Sequence, residues 1–274
     1  MPSGRVAALC RFSEESFPRT LSWMVLLRVT SYNMRQGGSY EHWAKILSAT
    51  EPDLLFVQET KDPTTFSGDP LEPLNLRHVL WRSAAQNTWG SAVLYRGGEI
   101  AEIPVPEFTG WVTGGETQID GEPAFLFSVH LPRLEGSYLK TGHRLMDELA
   151  PILDGATCII GGDWNFTACL RDQGDPRGHK RGEVEFIHRM ADDFGLVPSW
   201  RIAHPEGELP QTLRWMREPR TPYHCDGIFV PSRLSRRPML AKVHSGTPWL
   251  NLSDHNPIEV EWSGPLNVGS LRPE

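Results

Sequence analysis

The chain has 274 residues, of which 39% are hydrophobic and 22% charged, and its formal net charge is −7. This composition is typical of a globular protein that is long enough to bury a sizeable core. The acidic balance argues against a protein held on nucleic acid by a broad basic surface, but it leaves room for a locally basic groove. No apolar run approaches the roughly 18 residues of a membrane span.

Cysteine usage and the two ends of the chain indicate its organisation. The four cysteines form neither a C-x-x-C pair nor a disulfide framework, so a reduced, cytoplasmic setting is expected, with Cys158 in the core. Residues 1–23 are predicted to be a poorly ordered extension that lacks a secretory signal. Met24 precedes the first convincing strand and is a candidate start. We expect one domain at 24–264, a tail at 265–274 and a monomer.

The first part of the chain predicts a strand, a helix and a second strand. An apolar, β-branched run at 24–32 is a strand ending in Asn33, and 40–50 has helical spacing. A second buried strand at 53–57 delivers Glu59. This order is typical of a layered α/β protein.

The middle of the chain predicts hairpins and then a return to long elements. The segment 61–121 is rich in Pro and Gly, with short strands predicted at 77–80, 91–95 and 100–105, as in a mixed or antiparallel sheet. An apolar strand at 123–129 ends at His130. An amphipathic helix follows at 143–153, and then a strand at 157–161 that leads into Asp163 and Asn165.

The last part of the chain alternates loops with two further strands. The charged segment 171–182 predicts an exposed loop with local positive charge, which fits an ordinary solvated loop somewhat better than a substrate-binding arm. A helix is predicted at 183–194. The segment 201–222 is loop-like, with Trp215 expected to be packed. A strand at 223–231 carries Asp226, and the turn at 252–257 leads into a strand at 258–262.

Polar side chains recur where these strands end, and one acid lies inside a strand. The set comprises Asn33, Glu59, His130, Asp163 with Asn165, Asp226, and Asp254 with His255. Each has a local alternative, such as a cap, a solvated charge, a satisfied core histidine, a buried acid paired with an arginine, or a turn. These alternatives do not explain why the residues fall at equivalent places in successive strands.

Gathered together, these side chains would present several hard oxygen ligands and two histidines. Such a set suits Mg²⁺ or Mn²⁺ better than zinc. No H-E-x-x-H pair, nucleophile elbow, Walker loop or dinucleotide-binding turn competes with this interpretation. The sequence therefore predicts metal-assisted attack of water on a phosphate ester.

The motifs stand in the order of a known family. They are Tyr32-Asn33, Gln58-Glu59, Val129-His130-Leu131, Gly162-Asp163-Trp164-Asn165, Asp226-Gly227-Ile228-Phe229 and Ser253-Asp254-His255-Asn256-Pro257. This arrangement, which covers about 24–262, resembles the endonuclease/exonuclease/phosphatase superfamily of deoxyribonuclease I, AP endonucleases, neutral sphingomyelinases and inositol polyphosphate 5-phosphatases. The resemblance implies a four-layer α/β sandwich, in which two packed mixed β-sheets are flanked by helices.

The resemblance also implies a role for each residue of the metal set. Glu59 would be the principal Mg²⁺ ligand, helped by Asn33 and Asp254. Mn²⁺ could take the place of Mg²⁺.

The remaining residues would carry the catalysis. Asp163 would orient or deprotonate the attacking water, and Asn165 would hold that water or the phosphate. Asp226 would bond His255 and favour its cationic form, so that His255 can stabilise the pentacovalent phosphorane. His130 would contact the phosphate or assist the leaving group.

Four positions depart from patterns in the family. Arg35 stands where AP endonucleases usually have Asp or Asn, so that auxiliary metal contact is in doubt. His130 replaces their Tyr and points towards the deoxyribonuclease, sphingomyelinase or phosphatase branches. Ser128 replaces a frequent Asn, and His224 a frequent Arg. None of these changes removes a core catalytic group.

The expected function is a Mg²⁺-dependent hydrolase of phosphodiesters, favoured as a nuclease, with a phosphate ester or nucleic acid as its partner. The acidic balance keeps open a small-molecule or lipid-headgroup phosphatase or phosphodiesterase of the same fold. A catalytically inactive binding module is a weaker alternative. A sequence-specific DNA binder has little support, because no basic helix or aromatic-and-basic stripe is present.

Overall fold

The protein is described by a computed structural model that covers residues 26–66, 78–153, 157–172, 174–175, 177–178, 180–215 and 223–264. Within these residues two six-stranded sheets pack face to face. Helices cover the outer face of each sheet. The expected four-layer α/β sandwich is confirmed. The predicted extension at 1–23, Met24 and the tail at 265–274 lie outside the described residues.

The first sheet has the strand order β11-β12-β1-β2-β4-β3. Its strands, in chain order, are β1 (Leu26–Gly37), β2 (Leu54–Thr60), β3 (His78–Ser83), β4 (Gly90–Tyr95), β11 (Met239–Val243) and β12 (Ile258–Ser263). Only β1 and β2 run parallel, and the register of this pair shifts after Asn33. The parallel pair brings the predicted metal residues Asn33 and Glu59 to one edge of the sheet.

The second sheet has the order β5-β6-β7-β8-β10-β9. Its strands are β5 (Ala101–Ile103), β6 (Val112–Ile119), β7 (Glu122–His130), β8 (Thr157–Asp163), β9 (Leu196–Pro198) and β10 (Asp226–Pro231). It too has a single parallel pair, β7 with β8, in which His130 lies opposite Asp163. Asp226 lies opposite Asp163 on the other side. Three predicted catalytic residues are therefore neighbours by strand register alone.

The helices bury one face each against a sheet. They are α1 (Tyr40–Thr50), α2 (Tyr138–Leu153), α3 (Arg181–Phe194), α4 (Ser199–Ala203) and α5 (Trp249–Leu252). The spacing of buried Trp43, Ile46 and Leu47 fixes the face of α1 that packs on the first sheet. Helices α2 and α3 pack on the second sheet. None of the helices in the described part of the chain is long and apolar enough to cross a membrane.

The core between the sheets is closely packed at Gly161. A Cβ at this position would lie 2.3 Å from Cδ2 of Phe56 on the opposite sheet. The glycine before the strand end at Asp163 therefore allows the two sheets to approach, which sets the distance between their polar edges. Cys158 on the same strand is buried, as expected.

Several predicted elements need correction. Strands β6, β9 and β11 were not expected, because Gly114-Gly115 and the short length of the other two obscured their alternation. The strand expected at 223–231 begins only at Asp226. Helix α2 begins five residues earlier than the expected 143–153, and β5 is shorter than 100–105.

The segments expected to be loops also differ in part. The helix α4 occupies the start of the loop-like segment 201–222, and Trp215, which was expected to be packed, is 58% exposed. The charged segment 171–182 is not simply an exposed loop, because Arg171 packs beside the buried Asp175 and the last two residues begin α3.

Candidate active site

Asp163 is the most heavily contacted group at the polar edge of the sandwich. Its Oδ1 accepts a hydrogen bond from the backbone N of Asn165 (2.9 Å), and its Oδ2 accepts from Nδ2 of Asn33 (3.0 Å). Nε2 of His255 and Nε2 of His130 lie 3.7 and 3.9 Å from the same Oδ2. Burial raises the pKa of Asp163 to about 6, although the nearby histidine His255 opposes that rise. The carboxylate is therefore fixed in position and suited to accept a proton near neutral pH.

His255 and Asp226 form a buried pair next to Asp163. Nδ1 of His255 donates to both oxygens of Asp226, at 2.9 and 3.1 Å. Burial alone would lower the pKa of His255, but the carboxylates of Asp226 and Asp163 outweigh it and raise the pKa to about 10. His255 is therefore an imidazolium at neutral pH, with Nε2–H facing Asp163.

Glu59 projects from the end of β2 in a left-handed backbone conformation, with φ at 51°. Its Oε1 accepts a hydrogen bond from Nδ2 of Asn33 (3.1 Å) and lies 3.4 Å from Nε2 of His130. Burial raises the pKa of Glu59, and the bond from Asn33 partly offsets this rise. The carboxylate is thus buried with an amide donor and a neutral histidine in contact, an arrangement that leaves room for a cation.

Asn33 presents its carboxamide nitrogen, and not its oxygen, to this cluster. Its Oδ1 accepts the backbone N–H of Arg35 (2.8 Å). In this arrangement Asn33 bridges Glu59 and Asp163 as a donor. A ligand role for its oxygen would require the carboxamide to turn over and to give up the bond from Arg35.

Asp254 lies at the margin of the site and forms an ion pair with Arg35, one of the positions that depart from the family pattern. Its Oδ2 is 3.3 Å from Nε of Arg35, whose side chain is 49% exposed. The other oxygen, Oδ1, is buried and has no hydrogen-bond partner within the described part of the chain. The unsatisfied oxygen is what an additional cation contact would need.

His130 is a buried, uncharged histidine. Burial lowers its pKa to about 4, against the opposing effect of Asp163. The ring lies against two indoles, with its centroid 5.2 Å from that of Trp111 and 5.7 Å from that of Trp89. A neutral ring can donate one hydrogen bond, so His130 can contact a phosphate oxygen but contributes no cationic charge.

The donor set fits a divalent cation that prefers oxygen ligands. Within the described residues, two groups have potential ligand atoms within 4.8 Å of one another: Glu59, His130 and Asp163, and Asp163, Asp226 and His255. In the second group the histidine is already bonded to Asp226 as a cation, so the better candidate ligand is Glu59 of the first group. Asp254 belongs to neither group among the described residues.

The comparison with family models decides the assignment. Residues 30–255 match the model described as the Endonuclease/Exonuclease/phosphatase family. The chain belongs to this family. Membership, together with the acidic and histidine cluster, supports a hydrolase that acts on phosphoester bonds. A search of the curated proteins found no match.

Three of the solved structures that match share the fold of this chain. Truncated TDP2 from Caenorhabditis elegans is 19% identical with a TM-score of 0.62, covering 87% of this chain and 98% of that one. An AP endonuclease from Archaeoglobus fulgidus is 18% identical with a TM-score of 0.63, covering 85% and 98%. The 3′-5′ exonuclease NExo from Neisseria meningitidis is 19% identical with a TM-score of 0.63, covering 86% and 99%. At these identities the likeness shows the fold.

The supporting roles of two further residues were not predicted from the sequence. Buried Arg214 donates to the carbonyl oxygens of Trp249, Ser253 and His255 and so holds the turn that carries His255. The hydroxyl of Ser253 donates to the carbonyl of Asn33 (2.8 Å) and accepts from the backbone N of His255 (3.1 Å). The Ser-x-His spacing hints at the second bond, but no local pattern connects Arg214 to a turn some forty residues away.

A cavity of about 540 Å³ adjoins the site at Asn165. Its lining includes Arg133, Tyr138, Arg171 and Lys180. Burial raises the pKa of Tyr138, and the nearby Asp163 adds to that effect, so the phenol lies within electrostatic reach of the site. No motif in the sequence singles out Tyr138, which stands at a helix start that was not predicted.

Proposed function

We propose that the chain is a Mg²⁺-dependent phosphodiesterase that cleaves nucleic acid by direct attack of water on phosphorus. The observation that carries the proposal is the position of Asp163. Its carboxylate is oriented by Asn33 and Asn165 and faces the cationic His255, which Asp226 holds from behind. A base and a fixed cation on one small surface are what attack on a charged phosphodiester requires.

In the proposed reaction the oxygen of water bonds to phosphorus as the ester P–O bond breaks. Asp163 orients the water and accepts one of its protons, and Asn165 holds the water or the phosphate. The imidazolium of His255 donates Nε2–H to an oxygen of the pentacovalent phosphorane and offsets its growing negative charge. His130, being neutral, donates a hydrogen bond to the phosphate or to the departing oxygen, which leaves with a proton from solvent.

Glu59 is proposed as the principal ligand of the cation, with Asp254 and Asn33 beside it. A divalent cation held there would supply positive charge to offset the negative charge of the phosphoryl oxygens. Oxygen-rich neighbours favour Mg²⁺, with Mn²⁺ as a substitute, over zinc. The buried, unpartnered Oδ1 of Asp254 supports its inclusion.

The cavity at Asn165 supports nucleic acid as the substrate class. An extended chain carries further phosphates beyond the scissile one, and Arg133 and Lys180 line the adjoining space. Its volume far exceeds what a single phosphate group would fill. We further propose a cytoplasmic monomer, which agrees with the free, buried cysteines Cys158, Cys169 and Cys225.

A substrate panel tests the proposal. Single-stranded, double-stranded and abasic DNA, RNA, sphingomyelin and inositol phosphates are incubated with purified protein and with Mg²⁺, Mn²⁺ or EDTA. We expect metal-dependent cleavage of a nucleic acid, and a loss of about 100-fold or more in kcat for Asp163→Asn and for His255→Ala. Leu240→Ala, an exposed position on β11, is the control and should match the wild type. Undiminished activity in both site variants would exclude the catalytic roles of Asp163 and His255. Cleavage of lipid or inositol substrates alone would exclude nucleic acid as the substrate class.

Metal binding is tested separately from turnover. Mg²⁺ should raise the melting temperature of the wild-type protein, because a ligand that binds only the folded state stabilises it. Glu59→Gln should remove most of this gain and weaken binding in calorimetry at least about tenfold. Glu116→Gln, on the exposed face of β6, is the matched control. An unchanged metal affinity in Glu59→Gln would exclude Glu59 as the principal ligand.

A further inference from the structure

Trp89 and Trp111 form an aromatic wall beside the catalytic cluster. Their ring centroids are 5.2 Å apart with an interplanar angle of 82°, and both rings lie against His130. Trp89 immediately precedes β4 of the first sheet, and Trp111 immediately precedes β6 of the second sheet. The wall therefore spans both sheets where the predicted site residues gather.

The two indoles differ from the tryptophans of the core. Trp43, Trp164 and Trp262 are fully buried, whereas Trp89 and Trp111 are both partly exposed. Neither of their indole N–H groups donates to an acceptor within the described residues, and neither is closed off from solvent. An indole normally uses its N–H when it is buried, so these two rings have both an apolar face and a polar edge available to a ligand.

Hydrogen bonds and tight turns hold the main chain at both tryptophans. The carbonyl of Trp111 accepts the backbone N–H of His130 (2.8 Å) and the hydroxyl of Ser91 (3.1 Å). Gly110, at φ +75°, precedes Trp111, and a Cβ there would lie 1.9 Å from the carbonyl oxygen of Ser83. The tight turn thus requires glycine, and it fixes where Trp111 projects.

Trp89 is fixed in the same way. Its carbonyl accepts the backbone N–H of Ala84 (2.9 Å). The following residue, Gly90, could not carry a Cβ, because that atom would lie 1.7 Å from the carbonyl oxygen of Arg82. A rigid aromatic pair loses little side-chain entropy when it binds a flat ligand.

We propose that Trp89 and Trp111 form a stacking subsite for an unpaired nucleobase next to the scissile phosphate, so that single-stranded nucleic acid is the preferred substrate. This inference rests on the proposed function. In the proposed function His130 contacts the reacting phosphate, and the indoles lie against His130, so the next group along a bound substrate chain would reach the indoles. Every nucleobase has a π face that stacks on aromatic side chains, whereas a base inside a duplex has both faces occupied.

A structural role for the wall makes a different prediction. The indoles also shield His130 from water, so removing one could alter catalysis through the histidine alone. Such an effect would lower kcat by the same factor for every substrate. A stacking subsite acts instead on the KM of substrates that have a base beside the phosphate, so the two roles separate in a KM-against-kcat comparison.

The first experiment measures binding, without turnover, in the Asp163→Asn background. The probes are a single-stranded thymidine pentanucleotide and the same backbone with tetrahydrofuran in place of every nucleoside, each in Mg²⁺. We expect the base-containing probe to bind roughly tenfold more tightly. With Trp89→Leu or Trp111→Leu added, the two probes should bind within about twofold of each other, and Trp→Phe at either position should restore most of the difference. Tyr40→Leu, an exposed aromatic at the start of α1, is the matched control. Thermal melts verify that each variant is folded.

The second experiment uses dinucleotides, which contain one scissile phosphodiester. One has both bases, and two others lack the base on one side or the other. We expect the loss of one particular base to raise KM by roughly tenfold, and Trp89→Leu to abolish this difference while leaving kcat nearly unchanged.

The outcomes separate this inference from the proposed function. Cleavage of nucleic acid without any base dependence overturns the stacking subsite and leaves the function intact. Base-dependent binding that the tryptophan variants abolish, without any turnover, supports the subsite and refutes the phosphodiesterase. Equal losses of kcat on all dinucleotides, or a loss of binding to phosphatidylcholine vesicles but not to the pentanucleotide, overturns the subsite.

Discussion

The two halves of the site are built differently. The Asp163 half, comprising Asp163, Asp226 and His255, is buried, and its charged groups bond or face one another. The Glu59 half comprises Glu59, Asn33 and Asp254. The amide of Asn33 donates to Glu59, and the half-exposed guanidinium of Arg35 pairs with Asp254. Burial raises the pKa of Glu59, and one oxygen of Asp254 has no partner in the described residues.

The difference shows which half is complete without a cation. In the Asp163 half an imidazolium lies between two carboxylates and contacts both, so each charged group of this half has an oppositely charged neighbour. In the Glu59 half the guanidinium of Arg35 lies beside Asp254, and the histidine beside Glu59 is the neutral His130, so Glu59 has no cationic side chain in contact among the described residues. A cation would therefore stabilise the second half much more than the first.

The largest test of this comparison is Asp226→Asn. An amide cannot replace the carboxylate that keeps His255 protonated, so we expect kcat to fall about 100-fold or more. Metal affinity, which belongs to the Glu59 half, should change by less than about threefold. Steady-state kinetics and calorimetry measure the two effects, and Asp193→Asn on exposed α3 is the control. A large loss of metal affinity would show that the halves are not independent.

A smaller test concerns the stability of the segment that leads into Asp226. His224 is buried, and burial lowers its pKa from 6.5 to about 4. Between these values the unfolded chain binds a proton that the folded chain does not, so the free energy of unfolding should fall as pH decreases from about 6.5 to 4. His224 should contribute about 3 kcal/mol to that fall.

Urea unfolding at a series of pH values measures this effect. His224→Gln should reduce the dependence of the unfolding free energy on pH, and the buried His130 should continue to contribute a dependence of similar size. His188→Gln, at an exposed position on α3, should leave the pH dependence unchanged. An unfolding free energy that varies with pH in His224→Gln as it does in the wild type would show that His224 is not responsible.

The smallest effect is expected at Arg35. Its guanidinium competes with a cation for Asp254, so Arg35→Gln should strengthen Mg²⁺ binding. Because the pair is partly exposed, the gain should be no more than about fivefold. Calorimetry measures the Mg²⁺ affinity of this variant and of the exposed control Arg236→Gln. Weaker Mg²⁺ binding in Arg35→Gln would instead show that Arg35 helps to position the ligands of the Glu59 half.

The site residues were predictable to different degrees. His130, Asp163 and Asp226 follow from strand ends and register, because parallel and antiparallel neighbours bring them into line. Their chemistry followed only in part. The resemblance implied a cationic His255 bonded to Asp226, and the raised pKa of His255 agrees with it. The neutral state of His130 did not follow, since its burial in the packed structure lowers its pKa.

Other features escaped the sequence altogether. Arg214 acts through carbonyls some forty residues away, and Trp89 and Trp111 meet only because two sheets pack. Trp215 was expected to be packed on the strength of residue type alone, which does not determine exposure.

The sequence by itself determined the α/β layering, the family and the residues proposed for the site, because these depend on local periodicity and on short motifs in a fixed order. Only the tertiary structure decided the orientation of Asn33, the pairing of Arg35 with Asp254, the neutral state of His130 and the aromatic wall. The physical reason is that hydrogen-bond direction, desolvation and ring contact depend on distances between segments remote in sequence. Such distances are set when the two sheets pack together.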